Sequence, residues 1–329
     1  MTLLAPTLEA FFTQRLIHQR GASPNTVTAY RDGFRLLLGF VQQRTGTSPD
    51  RLTFDQLDAL CIAAFLHHLE HDRGNSIRTR NARLAAIHSM FAFAALRHPE
   101  HAALIQRVLA IPHKRAEQKL ICFLDAEEVD SLLAAPDRTR WLGRRDHTLL
   151  TVAIQTGLRV SELTRLTTHD IVLGTGAHVR CHGKGRKERI TPLTRQTVTV
   201  LHAWLEERGG DPSEPLFPTR QGRQLSRDAV ELLVRRHTAT ATHTCPSLTA
   251  KTVTPHVLRH TCAMRLLEAS VDTSVIALWL GHESVETTQI YLHADLALKE
   301  RALARTTPPN TNPGRYQPPD TLLAFLEAL

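Results

Sequence analysis

The chain has little cysteine and uses it singly. Cys61, Cys122, Cys181, Cys245 and Cys262 are scattered, odd in number and form no C-x-x-C pair. That excludes a disulfide framework and a zinc knuckle, and implies reduced thiols. The N-terminus lacks a charged-then-apolar leader, and no apolar run approaches membrane-spanning length. A cytoplasmic protein with no membrane partner is therefore expected. No H-E-x-x-H occurs, and no carboxylate or cysteine completes a ligand set around the pair His256 and His260. No metal and no nucleotide cofactor are expected. There are no internal repeats.

What is present is positive charge. The net charge is +8 with a pI near 9.6, an excess that favours polyanions, although an arginine-rich codon bias yields the same surplus. Apolar residues make up 42% and charged residues 22%, ordinary for a globular chain, and 329 residues suffice for two cores.

Residues 5 to about 111 read as all helical. Thr7 to Gln19 carries Leu8, Phe11, Phe12 and Leu16 on one stripe, and Ser23-Pro24 opens a second helix. Thr53 with Gln56 forms a capping box that predicts a third helix, closed at Gly74-Asn75. A fourth starts near Ser76, with Leu84, Ile87 and Phe91 inward and Arg78, Arg80 and Arg83 on the other flank. Such a flank is ordinarily a solvated face, but on a compact helical domain it suits a DNA groove. These three arginines are the expected DNA contacts. His67, His68 and His71 read as exposed surface.

A polar, basic break from Pro112 to Lys119 is the expected linker. Beyond it, Asp125 and Glu128 form another capping box, Gly157 closes a helix, and a short helix follows from Arg159 to Leu166. Ile171–Leu173, His178–Cys181 and Arg189–Leu193 read as short strands, the last two flanking a glycine-bounded basic tip, Gly183-Lys-Gly-Arg-Lys-Glu188. Helices resume at Gln196 to Glu207 and Ser226 to about Ala239. Thr254-Pro255 starts a helix that places His256, Arg259 and His260 together. Asp272 caps another, Gly281 stops it, and Ser284 opens a short helix carrying Tyr291. Residues 306–319 are too proline-rich for regular structure. After them Leu322, Phe325, Leu326 and Leu329 align as a short amphipathic stripe.

Two imidazoles, guanidiniums and a phenol at helix ends and turns suit phosphoryl transfer through a phosphotyrosine. Four motifs stand in register: Thr156-Gly-Leu-Arg-Val-Ser-Glu-Leu163, Gly183-Lys184-Gly185, His256-x-x-Arg259-His260, and Leu280-Gly-His282 with Tyr291 nine residues on. Each alone is weak; a lone tyrosine at a helix end is usually packing, and Gly183 and Gly185 could simply make a turn. Together, in this order, they closely resemble the tyrosine recombinase (phage integrase) family, including the Xer and Cre recombinases, over almost the whole chain.

That resemblance implies a mainly α fold with a small β-sheet. It implies a helical, SAM-like core-binding domain (1–112), a linker (113–123), an α+β catalytic domain (124–305), and a Pro-rich tether with a C-terminal amphipathic helix (306–329). It assigns Arg159 and Arg259 to clamp the phosphate, Tyr291 to attack, His256 to accept its proton and Lys184 to protonate the leaving 5′ oxygen. His282 donates to the phosphate; Glu162, His260 and Lys187 support. The implied partner is double-stranded DNA with inverted binding elements, held by a homo-tetramer, with or without a second recombinase. The two domains would contact the duplex mostly at phosphates.

The early start of the helical half leaves no room for an additional arm-binding domain. The Pro-rich tail favours a mobile element, while Xer-like dimer resolution stays open. A non-catalytic DNA-binding regulator of the same fold and a type IB topoisomerase are the rival readings. The complete residue set opposes the first, and the early helical domain and short His282-to-Tyr291 spacing oppose the second.

Overall fold

The computed structural model describes residues 2–115, 121–182, 188–281 and residue 291. The chain divides into two compact units, Met1–Gln118 and Lys119–Leu329, and is mainly α with one small antiparallel sheet. No helix among the described residues is long and apolar enough to cross a membrane.

The first unit is helical throughout. Helix α1 (Ala5–Ala10) runs directly into a π-wound stretch, Phe11–Gln19. The expected α-helix over Thr7 to Gln19 is thus corrected. In i→i+5 winding, Phe11 and Leu16 fall on one side, and these two are the buried residues of the stretch. Helix α2 (Pro24–Thr45) is capped by the Ser23 hydroxyl, which accepts from the Thr26 N–H at 3.2 Å. The Thr53/Gln56 capping box is present, but it opens a 3₁₀ turn (Phe54–Leu57) instead of a long helix. Asp58 then recaps the chain to start α3 (Ala59–His71). Ser76 caps α4 (Ile77–Ala95), and α5 (Ala102–Leu109) follows. Phe11, Phe34, Phe65 and Phe91 lie at the centre, each fully buried or nearly so. A ring so buried contributes roughly 2–3 kcal/mol.

The basic flank of α4 is not one surface. Arg78 is exposed. Arg80 is 6% exposed, pairs with Glu70 at 3.2 Å and donates to the Pro112 carbonyl, so the expectation that it contacts DNA is corrected. The nearby carboxylate offsets part of the cost of burying a guanidinium. Arg83 is half-buried and donates to the Ala29 carbonyl across α2. Asn81 and Glu70 hold Lys114 through its main chain and ammonium, so the start of the linker lies along α4. His67 and His71 are exposed with their rings stacked at 3.9 Å, while His68 pairs with Asp72.

In the second unit, the Asp125/Glu128 capping box opens α6 (Ala126–Ala134). Helix α7 (Trp141–Thr156) is its central element, and Gly157 ends it at φ +63°. Helix α8 (Val160–Leu163) is one turn long. The sheet has order β1-β2-β3, from β1 (Ile171–Val172), β2 (His178–His182) and β3 (Glu188–Pro192), all antiparallel. Helices α9 (Arg195–Arg208), α10 (Arg227–Ala241), α11 (Pro255–Glu268) and α12 (Thr273–Leu280) complete the described part. Trp204 on α9 packs against Trp141 at 5.2 Å between ring centroids and donates its indole N–H to the Leu216 carbonyl. Asp146 of α7, fully buried, accepts from Arg145, Arg236 and His237, which ties α7 to α10.

Candidate active site

The site forms where the C-terminal ends of α7 and α12 meet the first half of α11. A Cβ on Gly157 would lie 2.6 Å from Leu280 and 3.1 Å from Cys262, and the φ there is positive. Only glycine permits both the turn and the approach. Thr254 caps α11 by accepting from the Val257 N–H, with Pro255 in the first turn. Helix α11 buries Val257, Leu258, Thr261 and Cys262 and carries His256, Arg259 and His260 towards the site. Asp272 caps α12, and Gly281 ends it at φ +65°.

Arg259 is 3% exposed and donates to the carbonyls of Gly157 (2.6 Å) and Leu280 (2.8 Å). Both acceptors lie at helix C-termini, where the dipole is negative and favours a cation. Burial, then the charge of Arg159, brings its pKa down to about 10, which leaves it charged at neutral pH. Arg159 donates to the next carbonyl, Gly281, at 2.8 Å. Two guanidiniums thus sit on consecutive carbonyls at the end of α12. Arg159 keeps 38% of its side chain in solvent, so it has donors free for a ligand.

Tyr291 is 1% exposed, packed in an apolar cluster with Cys262, Met264, Ile276 and Leu280. Its hydroxyl lies 3.1 Å from His260 Nδ1. Burial pushes the phenol up to about 12, against the pull of Arg259 and Arg159. His256 packs edge-on to His260, 4.1 Å between centroids. Burial, then the charges of Arg259 and Arg159, holds His256 below the ordinary imidazole range and hence neutral. The sequence reading gave the tyrosine's proton to His256; among the described residues, His260 is the one bonded to the phenol.

Glu162 receives donors from two arginines. Its carboxylate accepts from the Arg159 backbone N–H (2.8 Å) and Arg159 Nη1 (3.0 Å), and from Arg189 Nη1 (2.9 Å) and Nη2 (2.8 Å). Burial opposes charge on Glu162, but the arginine pairs, Arg189 first, outweigh it and hold the carboxyl below its usual range. Sequence reasoning missed Arg189, reading it only as the start of a strand. Its place directly after the basic tip was the one available signal. Lys184, Lys187 and His282 lie outside the described residues, as do the Ser284 helix and the tail stripe. Among the described residues, no group of three or more His, Cys, Asp or Glu could hold a metal ion.

Comparison with known proteins shows the family. Residues 122–297 match the phage integrase family, and residues 10–98 match the phage integrase N-terminal SAM-like domain. The chain belongs to the phage integrase family, the tyrosine recombinases, which cleave and rejoin DNA strands. It is 56% identical over 326 residues to the integrase/recombinase-type protein y4rC of Sinorhizobium fredii, covering 99% of this chain and 98% of that one. It is 35% identical to the tyrosine recombinase XerC of Pelobacter propionicus, over 87% of this chain and 90% of the relative. The fold is shared with XerH recombinase bound to palindromic difH (TM-score 0.70, 23% identity, 87% of this chain and 81% of that one). It is also shared with the Tn1549 transposon integrase bound to transposon right-end DNA (TM-score 0.68, 17% identity, 90% and 98% covered).

Proposed function

We propose that this chain is a site-specific DNA recombinase that works through a 3′-phosphotyrosyl intermediate at Tyr291 and serves a mobile element. The observation that carries the reading is the pair of guanidiniums, Arg159 and Arg259, on the adjacent carbonyls of Gly281 and Leu280, with the Tyr291 hydroxyl held by His260 within their field. Attack of the phenol on a phosphodiester builds negative charge on the non-bridging oxygens, which the two arginines stabilise. A phenol of pKa about 12 is neutral at rest, so its proton must leave as it attacks. His260 Nδ1 is placed to accept it. His256, kept neutral, is suited to donate to the phosphate. By family resemblance, Lys184 protonates the departing 5′ oxygen, His282 adds a second donor and Lys187 supports the tip.

The tyrosyl phosphodiester conserves the energy of the broken bond, so rejoining needs no nucleotide. The proposed domains are those set out from the sequence, and the proposed partner is a duplex with inverted elements bound by four copies. Arg78, the exposed member of the α4 flank, is a proposed backbone contact, with Arg83 beside it. The 56% identity to the integrase/recombinase-type relative supports an integrase or recombinase activity, and the Pro-rich tail favours a mobile element. The 35% identity to XerC favours a second reading, dimer resolution.

The test is covalent capture. The full-length chain is offered a pool of nicked, random-sequence duplexes, and SDS-resistant adducts are recovered and sequenced. Wild type should select a site with inverted halves, and Tyr291→Phe should bind that site but give no adduct. An adduct of normal yield from Tyr291→Phe contradicts the reading. Resolution of a supercoiled plasmid carrying two selected sites, against joining of a linear element end, separates the two roles.

A further inference from the structure

Arg189 belongs to the site through Glu162, to which both of its terminal nitrogens donate. Its side chain is 12% exposed, and its two terminal nitrogens grip both oxygens of Glu162 in a fork. A Cβ on Gly281 would lie 2.8 Å from its Nη1, so the guanidinium is packed against the turn whose carbonyl holds Arg159. Through its two arginines, one carboxylate therefore links three separate segments: the start of α8, the start of β3 just after the basic tip, and the residue before His282.

The charges make the arrangement more than a brace. If Glu162 faced Arg159 alone, the two would form a neutral pair. A free carboxylate could also take Arg159 in a fork, turning its donors away from a phosphate. Arg189 occupies that fork, leaving Arg159 a single terminal contact with Glu162 at 3.0 Å. The Arg–Glu–Arg group then keeps a net positive charge, carried by the arginine with solvent access. We infer that Arg189 is a positioning residue that engages Glu162 so that the donors of Arg159 stay aimed at and available to the scissile phosphate. This inference rests on the proposed role of Arg159.

The test uses the full-length chain and a nicked duplex obtained by covalent capture. Arg189→Met should bind it normally but form adduct about 100-fold more slowly, as expected for a misplaced clamp. The deficit should shrink on a methylphosphonate at the scissile position, which lacks one of the charges Arg159 serves. The deciding variant is the double one, Arg189→Met with Glu162→Gln, where a neutral amide cannot trap Arg159. It should be faster than Arg189→Met alone. Three results would overturn the inference: a double variant slower than the single, equal deficits on both phosphates with a lowered melting temperature, or recovery on a sulfur-bridged substrate instead, which would tie Arg189 to the basic tip. Arg159→Ala and Tyr291→Phe run alongside. If Arg159→Ala is unimpaired, or Tyr291→Phe still forms adduct, it is the proposed function that fails.

Discussion

At the scale of single residues, the site is an arrangement of partners. Arg259 can be buried because two helix ends supply carbonyls, and Tyr291 can be buried because His260 meets its hydroxyl. His260→Asn retains a polar partner for the phenol but cannot take its proton at Nδ1. Adduct formation should fall by about 100-fold and rise with added hydroxide between pH 6 and 9, measured in single turnover. A wild-type rate and profile in that variant would return the role to His256. The motifs that named Arg159, His256, Arg259 and Tyr291 were legible because each is a short local pattern. Arg189 was not, because its role depends on Glu162, 27 residues away. The fate of Arg80 was equally hidden: its periodicity put it on a flank, but its ion pair with Glu70 of the preceding helix turned it inward.

At the scale of elements, capping chemistry was the most readable signal. Ser23, Asp125 with Glu128, Thr254 and Asp272 all cap where their side chains predict. What local chemistry did not reveal was winding and continuation. The apolar stripe after Ala10 is satisfied by a π-wound stretch, and the Thr53 box is followed too soon by a second cap at Asp58. The tie between α7 and α10 was also invisible, being made by Asp146 with His237 and Arg236, about 90 residues away. Burial raises the Asp146 carboxyl, but its partners, His237 and Arg145 among them, leave it below the ordinary 3.8. A lowered folded pKa means the stabilisation is complete above the unfolded value and is lost as pH falls through the folded one. Thermal melting of the wild type should therefore drop steeply below about pH 4. Asp146→Asn should lose about 3 kcal/mol at neutral pH and show a shallower acid drop. A variant as stable as wild type at pH 7 would show that the cluster contributes nothing.

At the scale of the whole molecule, the chain folds in two units, and the proposed function has it act in several copies. The structure divides at Gln118–Lys119, while the linker expected from the sequence rests on periodicity giving way to charge. The stripe of Leu322, Phe325, Leu326 and Leu329 is too short to be a stable free helix. We propose from the sequence alone that this stripe docks on a neighbouring copy. Truncation after Arg305 should leave binding to a single half-site intact and weaken cooperative binding to paired sites in a gel-shift titration; unchanged cooperativity would refute it. The proposed function stands or falls on the covalent link at Tyr291. The adduct formed by the wild type can be digested with trypsin and nuclease and its nucleotide-bearing peptide sequenced by mass spectrometry. The expected product is a nucleotide joined through its 3′-phosphate to Tyr291, with a free 5′-hydroxyl on the other DNA end. A nucleotide on any other side chain, or one joined through a 5′-phosphate, would contradict it.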